Sequence, residues 1–393
     1  MEDRTFDRLA RRLSGSLDRR TGLKGLLAGL TGILGFSAAE ARVQIPPTCR
    51  GVGMQCIAGD ECCSGRCIAK DDGTSRCARK TSNRKKKHGG NGSTSLTCTV
   101  CANGCPYTSI EDAIANAPDG PDTVVISVAP GTYRPQPMNP ESIFALNIGR
   151  SMTLQPCDWN AAWPTIETDH LTGGETETLF FLGNLDEPGN CTDIEITVTI
   201  AGFNIVGGGT ISALVADCRT VWKLRSCNIR LFNNLSNSVI RNSSSSDAII
   251  ESTIVQFNTS SASKGSAIQH QGASDSLLRI DDCSINDNIS ETTEIEGGII
   301  GVTSGRLQIS GTTTIFYNQT PVTAYGGALY AAASLIFTES PTVRNNTGAG
   351  LGGGLYRAVG STVTGASTAI IHDNTASTCN NYYDAESSTC VYP

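Results

Sequence analysis

The sequence predicts an all-β protein, a solenoid of parallel strands wound as a β-helix. Three observations carry this. The first is a repeat between residues 203 and 374. An Ile or Val recurs at Ile205, Ile229, Ile254, Ile285, Ile315, Val343 and Ile370. Two residues before them stand Phe203, Cys227, Ser252, Cys283, Thr313, Pro341 and Thr368. Residues two apart share a face only in a strand. A unit this short cannot bury its own apolar face and must stack on its neighbours. The second observation is an Asn column three or four residues after most of these steps: Asn233, Asn258, Asn288, Asn318, Asn346 and Asn374. Stacked amides hydrogen-bond along a ladder, and Asn tolerates the left-handed backbone of a sharp bend. The third is a set of Gly-rich steps: Gly265-Ser266-Ala267-Ile268, Gly297-Gly298-Ile299-Ile300, Gly326-Gly327-Ala328-Leu329 and Gly353-Gly354-Leu355-Tyr356. There glycine supplies the turn and the apolar pair begins the next strand. Helical solenoids need long 3.6-period segments. None lies between residues 195 and 378.

Residues 1–41 read as an export signal. Leu17-Asp18-Arg19-Arg20-Thr21-Gly22-Leu23-Lys24 is followed by the apolar stretch Leu26–Phe36 and by Ala39-Glu40-Ala41, a small-x-small cleavage site. The stretch is too short to span a bilayer. The segment resembles a twin-arginine signal, with Arg19 and Arg20 as the pair. The resemblance implies a prokaryotic source and an extracellular or cell-surface protein. No later apolar run could span, so no transmembrane segment is expected in the mature chain. Sixteen cysteines suit an oxidising compartment. Twin-arginine cargo folds before export, so the coil is expected to fold on its apolar core and most disulfides to close afterwards.

Residues 42–78 crowd six cysteines into C-x6-C-x5-CC-x3-C-x9-C, from Cys49 to Cys77. A piece this short needs covalent staples. Six cysteines allow fifteen pairings. The pattern, with Glu61-Cys62-Cys63-Ser64-Gly65-Arg66-Cys67, resembles the inhibitor-cystine-knot framework. That resemblance implies Cys49–Cys63, Cys56–Cys67 and Cys62–Cys77. A zinc site lacks its C-x2-C pair and its histidines here. Residues 79–95 read as a flexible basic linker, Arg84-Lys85-Lys86-Lys87 at its centre. Residues 42–90 hold eleven basic and four acidic side chains; residues 91–393 hold twelve and twenty-eight. The linker is therefore expected either to meet an anionic envelope polymer or to serve as a solvated tether. Nucleic acid is not an expected partner, because it needs a folded basic surface.

Residues 96–378 read as the solenoid, with nine or ten rungs, and 379–393 as a C-terminal tail. Cys101-Ala-Asn-Gly-Cys105-Pro-Tyr-Thr-Ser109-Ile-Glu-Asp-Ala-Ile-Ala-Asn-Ala117, then Asp122-Thr-Val-Val-Ile-Ser-Val-Ala-Pro-Gly-Thr-Tyr133, resembles the opening of pectate-lyase-like proteins. The Gly-Gly-Ala-Leu-Tyr and Phe/Tyr-x-Asn-Thr steps resemble repeats of polymorphic outer-membrane proteins. Both resemblances imply a right-handed coil, and the first implies that its N-terminal end is capped by a short helix. Ser109 can N-cap that helix, with Asp112 three later. Ile110, Ala113, Ile114 and Ala117 form its inner face. Cys101–Cys105 reads as a disulfide at the cap and Cys379–Cys390 as one closing the tail. Cys227 and Cys283 stand two rungs apart, about 10 Å, too far to bond.

This fold carries lyases, hydrolases, adhesins and spacers alike, so activity must be argued from a site. A lyase needs clustered carboxylates holding Ca²⁺ and an Arg or Lys base. The best candidates are Asp281, Asp282 and Asp287 with Arg279, and Asp247 and Lys264 one rung earlier. Asp281 and Asp282 are adjacent and face opposite sides of a strand unless a turn intervenes. Hydrolases of this kind use an Asn-Thr-Asp segment, an Asp-Asp pair and a Gly-His-Gly step, and Asp281-Asp282 alone matches. His88, His170, His270 and His372 share no spacing; His270 and His372 read as surface residues. Sugar binding needs exposed aromatics, which are 6% of the chain. Tyr330 and Tyr356 repeat on successive rungs, as a structural column or a sugar face. Trp222, Tyr317, Tyr382 and Tyr383 are looser candidates. The leading expectation is a non-catalytic exported protein that is adhesive or binds a polysaccharide or envelope polymer, with no cofactor and no metal. An enzyme acting on acidic polysaccharide, with Ca²⁺ if a lyase, and a knot-type inhibitor on a β-helix stalk are the alternatives.

Overall fold

The computed structural model describes residues 98–391, apart from 119–122, 137–143, 172–177, 185–190, 209–210, 235–236, 263, 293 and 296, together with two short strands nearer the N-terminus. The chain divides into two units, Met1–Lys85 and Lys86–Pro393. In the first, Cys67–Ala69 and Ser75–Cys77 pair antiparallel, with Cys67 opposite Cys77. The knot pairings Cys49–Cys63, Cys56–Cys67 and Cys62–Cys77, the signal at Arg19 and Arg20, and the basic linker fall outside the described residues.

The second unit is a parallel β-helix. Three stacked sheets of nine, nine and ten strands form its walls. One turn of the coil shows the plan. Leu277–Asp281 lies in the first sheet, Ser284–Asn286 in the second and Ile300–Ser304 in the third. The short strand Ile289–Ser290 lies between the second and third, in a three-stranded ribbon with Asn233–Asn234 and Thr259–Ser260. Burial alternates along the walls, as in Leu277–Asp281, where Leu278 and Ile280 point inward and Leu277, Arg279 and Asp281 outward. The second sheet stacks Ile205, Ile229, Val255, Ile285, Ile315 and Val343 inward, each at most 1% exposed. The third stacks Ile240, Ile268, Ile300, Leu329 and Leu355. Each such burial contributes about 1.5–3 kcal/mol.

Two steps of the inward column differ from the sequence expectation. Val255 and Ile371 point inward, while Ile254 is half-buried and Ile370 is 50% exposed. Thr253 and Ala369 accordingly replace Ser252 and Thr368 two residues earlier. Ile-Val and Ile-Ile pairs offer an apolar side chain in either register. Backbone pairing decides between them, and a one-residue slip exchanges faces.

The asparagine column is a buried ladder of Asn258, Asn288, Asn318, Asn346 and Asn374, all at most 3% exposed. Asn318 shows the pattern. Its Oδ1 accepts from Asn288 N at 3.0 Å and Asn288 Nδ2 at 2.9 Å. Its Nδ2 donates to Asn346 Oδ1 at 2.9 Å and to the Ile285 carbonyl at 2.9 Å. Every donor and acceptor of the amide is used. Asn233 does not belong to the ladder. Phe232 occupies the column on that rung, its N–H donating to Asn258 Oδ1 at 3.1 Å, and Asn233 is exposed one residue further on. The left-handed backbone also sits elsewhere than expected. It falls on the residue before each column position: Leu231, Phe257, Asp287, Tyr317, Asn345 and Asp373.

Both ends of the coil are covered. Helix α1, Ile110–Ala115, is N-capped by Ser109, whose Oγ accepts from Asp112 N at 3.1 Å. It buries Ile110, Ala113 and Ile114. Residues 379–391 are not a separate tail. Tyr382–Asp384 is a strand of the third sheet, and Thr389–Cys390 folds back antiparallel on it. The ladder ends there too, on Asn381 Oδ1. Cys379–Cys390 closes this hairpin, Cys101–Cys105 lies beside the N-terminal helix, and Cys98–Cys157 and Cys191–Cys218 bridge segments distant in sequence.

The Gly-rich steps precede strands of the third sheet. Gly326 has φ +77°, and a Cβ there would stand 2.3 Å from the Leu329 carbonyl oxygen. Gly360 has a similar φ of +76° and open space around it. Gly326→Ala is therefore expected to cost about 2 kcal/mol or more, and Gly360→Ala about 1 kcal/mol, by urea unfolding. Equal losses at the two sites would contradict the steric account.

Candidate functional site

The acidic residues singled out in the sequence are spent on structure. Asp281 faces outward on the first sheet and forms an ion pair with Arg279 on its own strand. The next residue, Asp282, has φ 51° and turns the corner. This turn brings the two carboxylates to one place instead of opposite sides. A Cβ on Gly311 would lie 2.4 Å from Asp282 Oδ1 and 2.8 Å from Asp281 Oδ1. Both oxygens are engaged with the next rung. Asp281 Oδ1 accepts from Ser310 Oγ at 2.8 Å, and Asp282 Oδ1 from Thr312 N and Oγ1 at 2.8 and 2.9 Å. Asp287 lies past the second sheet at another corner, where Oδ2 accepts from Asn286 Nδ2 at 2.6 Å. Lys264 has φ 63° in the approach to the third sheet. Asp247 accepts from Leu277 N at 2.9 Å. The six candidates are thus spread over the first wall and three corners of the coil.

Asp247 also lines an open groove of about 410 Å³ with Glu195, Arg219, Ser246, Asp275 and Arg306. Its polar groups tie rung to rung. Ser246 donates to Glu195 at 3.0 Å, Arg219 to the Asp193 carbonyl at 3.2 Å and Arg306 to the Asp275 carbonyl at 2.8 Å. Among the described residues, Cys191, Asp217 and Cys218 bring potential metal-ligand atoms within 4.8 Å, but the two sulfurs are bonded to each other. Cys227 and Cys283 are free and fully buried, and burial pushes both thiols up to about 12. That disfavours the thiolate, the form that reacts and binds metal.

His270 is buried, not a surface residue. It takes part in a polar chain inside the coil. Trp222 Nε1 donates to Asn242 Oδ1 at 3.0 Å, and Asn242 Nδ2 lies 3.0 Å from His270 Nδ1. Indole is only a donor, which fixes the amide and makes Nδ1 the acceptor. His270 Nε2 has no partner of ordinary hydrogen-bond geometry among the described residues. Burial lowers the ring to about 4, against opposing hydrogen bonding at Ser276 and Asn242 and the charge of Asp247. His372 is at the surface beside Asp373, 2.7 Å away.

The aromatic candidates separate by exposure. Trp222 and Tyr382 lie inside the coil. Tyr330, Tyr356 and Tyr383 stack at 5.7 Å with nearly parallel rings, but Tyr330 and Tyr356 are 3% and 8% exposed. They form a structural column whose ring faces are covered. Tyr317 remains, 54% exposed, with two partners that sequence reasoning missed. Phe316 meets it edge-on at 5.3 Å, and the Arg344 guanidinium lies 5.3 Å from the Phe316 centroid and 5.9 Å from the Tyr317 centroid. Two rungs away Phe257 is 51% exposed, and Leu231 one rung beyond it is 49% exposed.

These side chains occupy the left-handed column, with φ 64° at Leu231 and 54° at Phe257 and Tyr317. The same column elsewhere holds Asp287, Asn345 and Asp373, residues that adopt this conformation readily. Leu, Phe and Tyr there cost about 1–2 kcal/mol each. Neither backbone preference nor core burial accounts for them, and strain of this kind gathers at functional sites. The signal was present in the sequence as the residue before each ladder Asn. No family model, no curated protein and no solved structure matches the chain.

Proposed function

We propose that the protein is exported and acts outside the cell as a non-catalytic, adhesive protein that binds glycan. The observation that carries this is a strip at the corner just past the second wall, the pair of exposed rings Phe257 and Tyr317 with the half-buried Phe316 and Arg344 beside Tyr317, held partly at the expense of backbone strain. Exposed rings with an apolar face and polar neighbours suit sugars, whose rings have C–H faces and hydroxyl edges. Arg19-Arg20 and the later apolar stretch support export, as do the cystines, which persist in oxidising compartments. The carboxylates of Asp281 and Asp282 are engaged by Arg279, Ser310 and Thr312, which supports a structural role for them over a catalytic one.

The test is co-sedimentation of the mature protein with a panel of insoluble neutral and acidic polysaccharides, with and without Ca²⁺. Retention without new reducing or unsaturated ends is expected. Cleavage would replace this reading with an enzymatic one, and absence of retention on every polymer would remove it.

A further inference from the structure

We infer that the strip takes an uncharged, extended polysaccharide lying parallel to the coil axis, with sugar rings on Phe257 and Tyr317; this rests on the glycan reading above. Backbone pairing places Gln256, Asn286 and Phe316 on three successive rungs, and the next residues are Phe257, Asp287 and Tyr317. Phe257 and Tyr317 are therefore two rungs apart, about 10 Å at roughly 4.8 Å per rung. This is about the length of a disaccharide. A chain along the axis meets both rings, while a chain across it meets one.

The flanking columns supply hydrogen bonds at the ring edges. Gln256 lies on one side and Thr259 and Gln319 on the other, while the buried Asn286 is engaged with Ser284 and Asp287. Between the two aromatics stands the Asp287 carboxylate. Charge selects the polymer. Arg344 is held over the Phe316 and Tyr317 rings, Arg230 stands one rung before Gln256 and Asp287 lies between them, so the strip carries only a small net charge. Residues 91–393 hold twenty-eight acidic and twelve basic side chains, a field that repels polyanions. An uncharged chain avoids that repulsion and uses stacking and hydroxyl contacts alone.

Calorimetric titration with cello-, manno- and galacturono-oligosaccharides of increasing length, at low and high salt, tests this. A neutral series should bind, tighten with length until both rings are spanned and then level off, with little salt dependence. Phe257→Asn and Tyr317→Asn should each weaken binding about tenfold and together abolish the gain with length. Asn suits the left-handed backbone, so melting at or above the wild-type temperature controls for folding. Binding of the galacturonan series alone, weakened by salt, would overturn the uncharged ligand and leave a glycan-binding protein. Neutral binding unchanged in both variants would overturn the placement. No binding to any series would overturn both this inference and the glycan reading.

Discussion

Asn318→Leu should destabilise the coil by about 4 kcal/mol in urea unfolding. The change keeps the branched shape, with somewhat more volume, and removes the amide. Asn288 N then loses its acceptor and Asn288 Nδ2 one of two, while the Ile285 carbonyl loses the Asn318 amide and Asn346 Oδ1 keeps only the backbone N–H of residue 318. All four groups lie in the buried ladder, where water does not replace the lost bonds. Asn233→Ala is the matched control, since Asn233 is exposed and outside the ladder. It should change stability by less than about 0.5 kcal/mol. A loss at Asn318 no larger than that at Asn233 would mean that the ladder does not stabilise the coil.

Acid should weaken the fold through His270, by about 3 kcal/mol between pH 6.5 and 4. An unfolded histidine binds its proton below about 6.5, and the buried ring not until about 4. In that window the unfolded state holds more protons, so stability falls as pH falls through it. Below pH 4 His270 adds nothing further. Carboxylates titrate in the same range, so the readout is the difference between wild type and His270→Gln. The variant should lose stability less steeply from pH 6.5 to 4. Parallel curves for the two proteins would contradict the burial of a neutral imidazole.

The coil was legible in the sequence because its apolar and asparagine columns must recur wherever strands stack. Ser109 and the buried face of α1 were legible for a similar local reason: a capping side chain and an apolar spacing. Register was not legible at Ile254-Val255 and Ile370-Ile371, where two apolar neighbours compete for one inward position. Asn233 was misplaced because an Asn near the right spacing carries no mark of which residue turns the corner. His270 was misread because burial of a polar ring depends on Trp222 and Asn242, which come from other strands. The strip was only partly visible. Tyr317 stood out as an aromatic, but Phe257 and Arg344 acquire their meaning from rungs far apart in sequence. The carboxylate pair at Asp281-Asp282 was ambiguous for the opposite reason: a single left-handed residue decides whether the two side chains diverge or converge.

Side-chain footprinting by hydroxyl radicals, with and without a retained polysaccharide, tests the placement of the binding surface most directly. Protection concentrated on Phe257, Phe316 and Tyr317, with Trp159 unchanged as an exposed reference, is the expected result. Protection absent from those three rings while the protein is bound would contradict it.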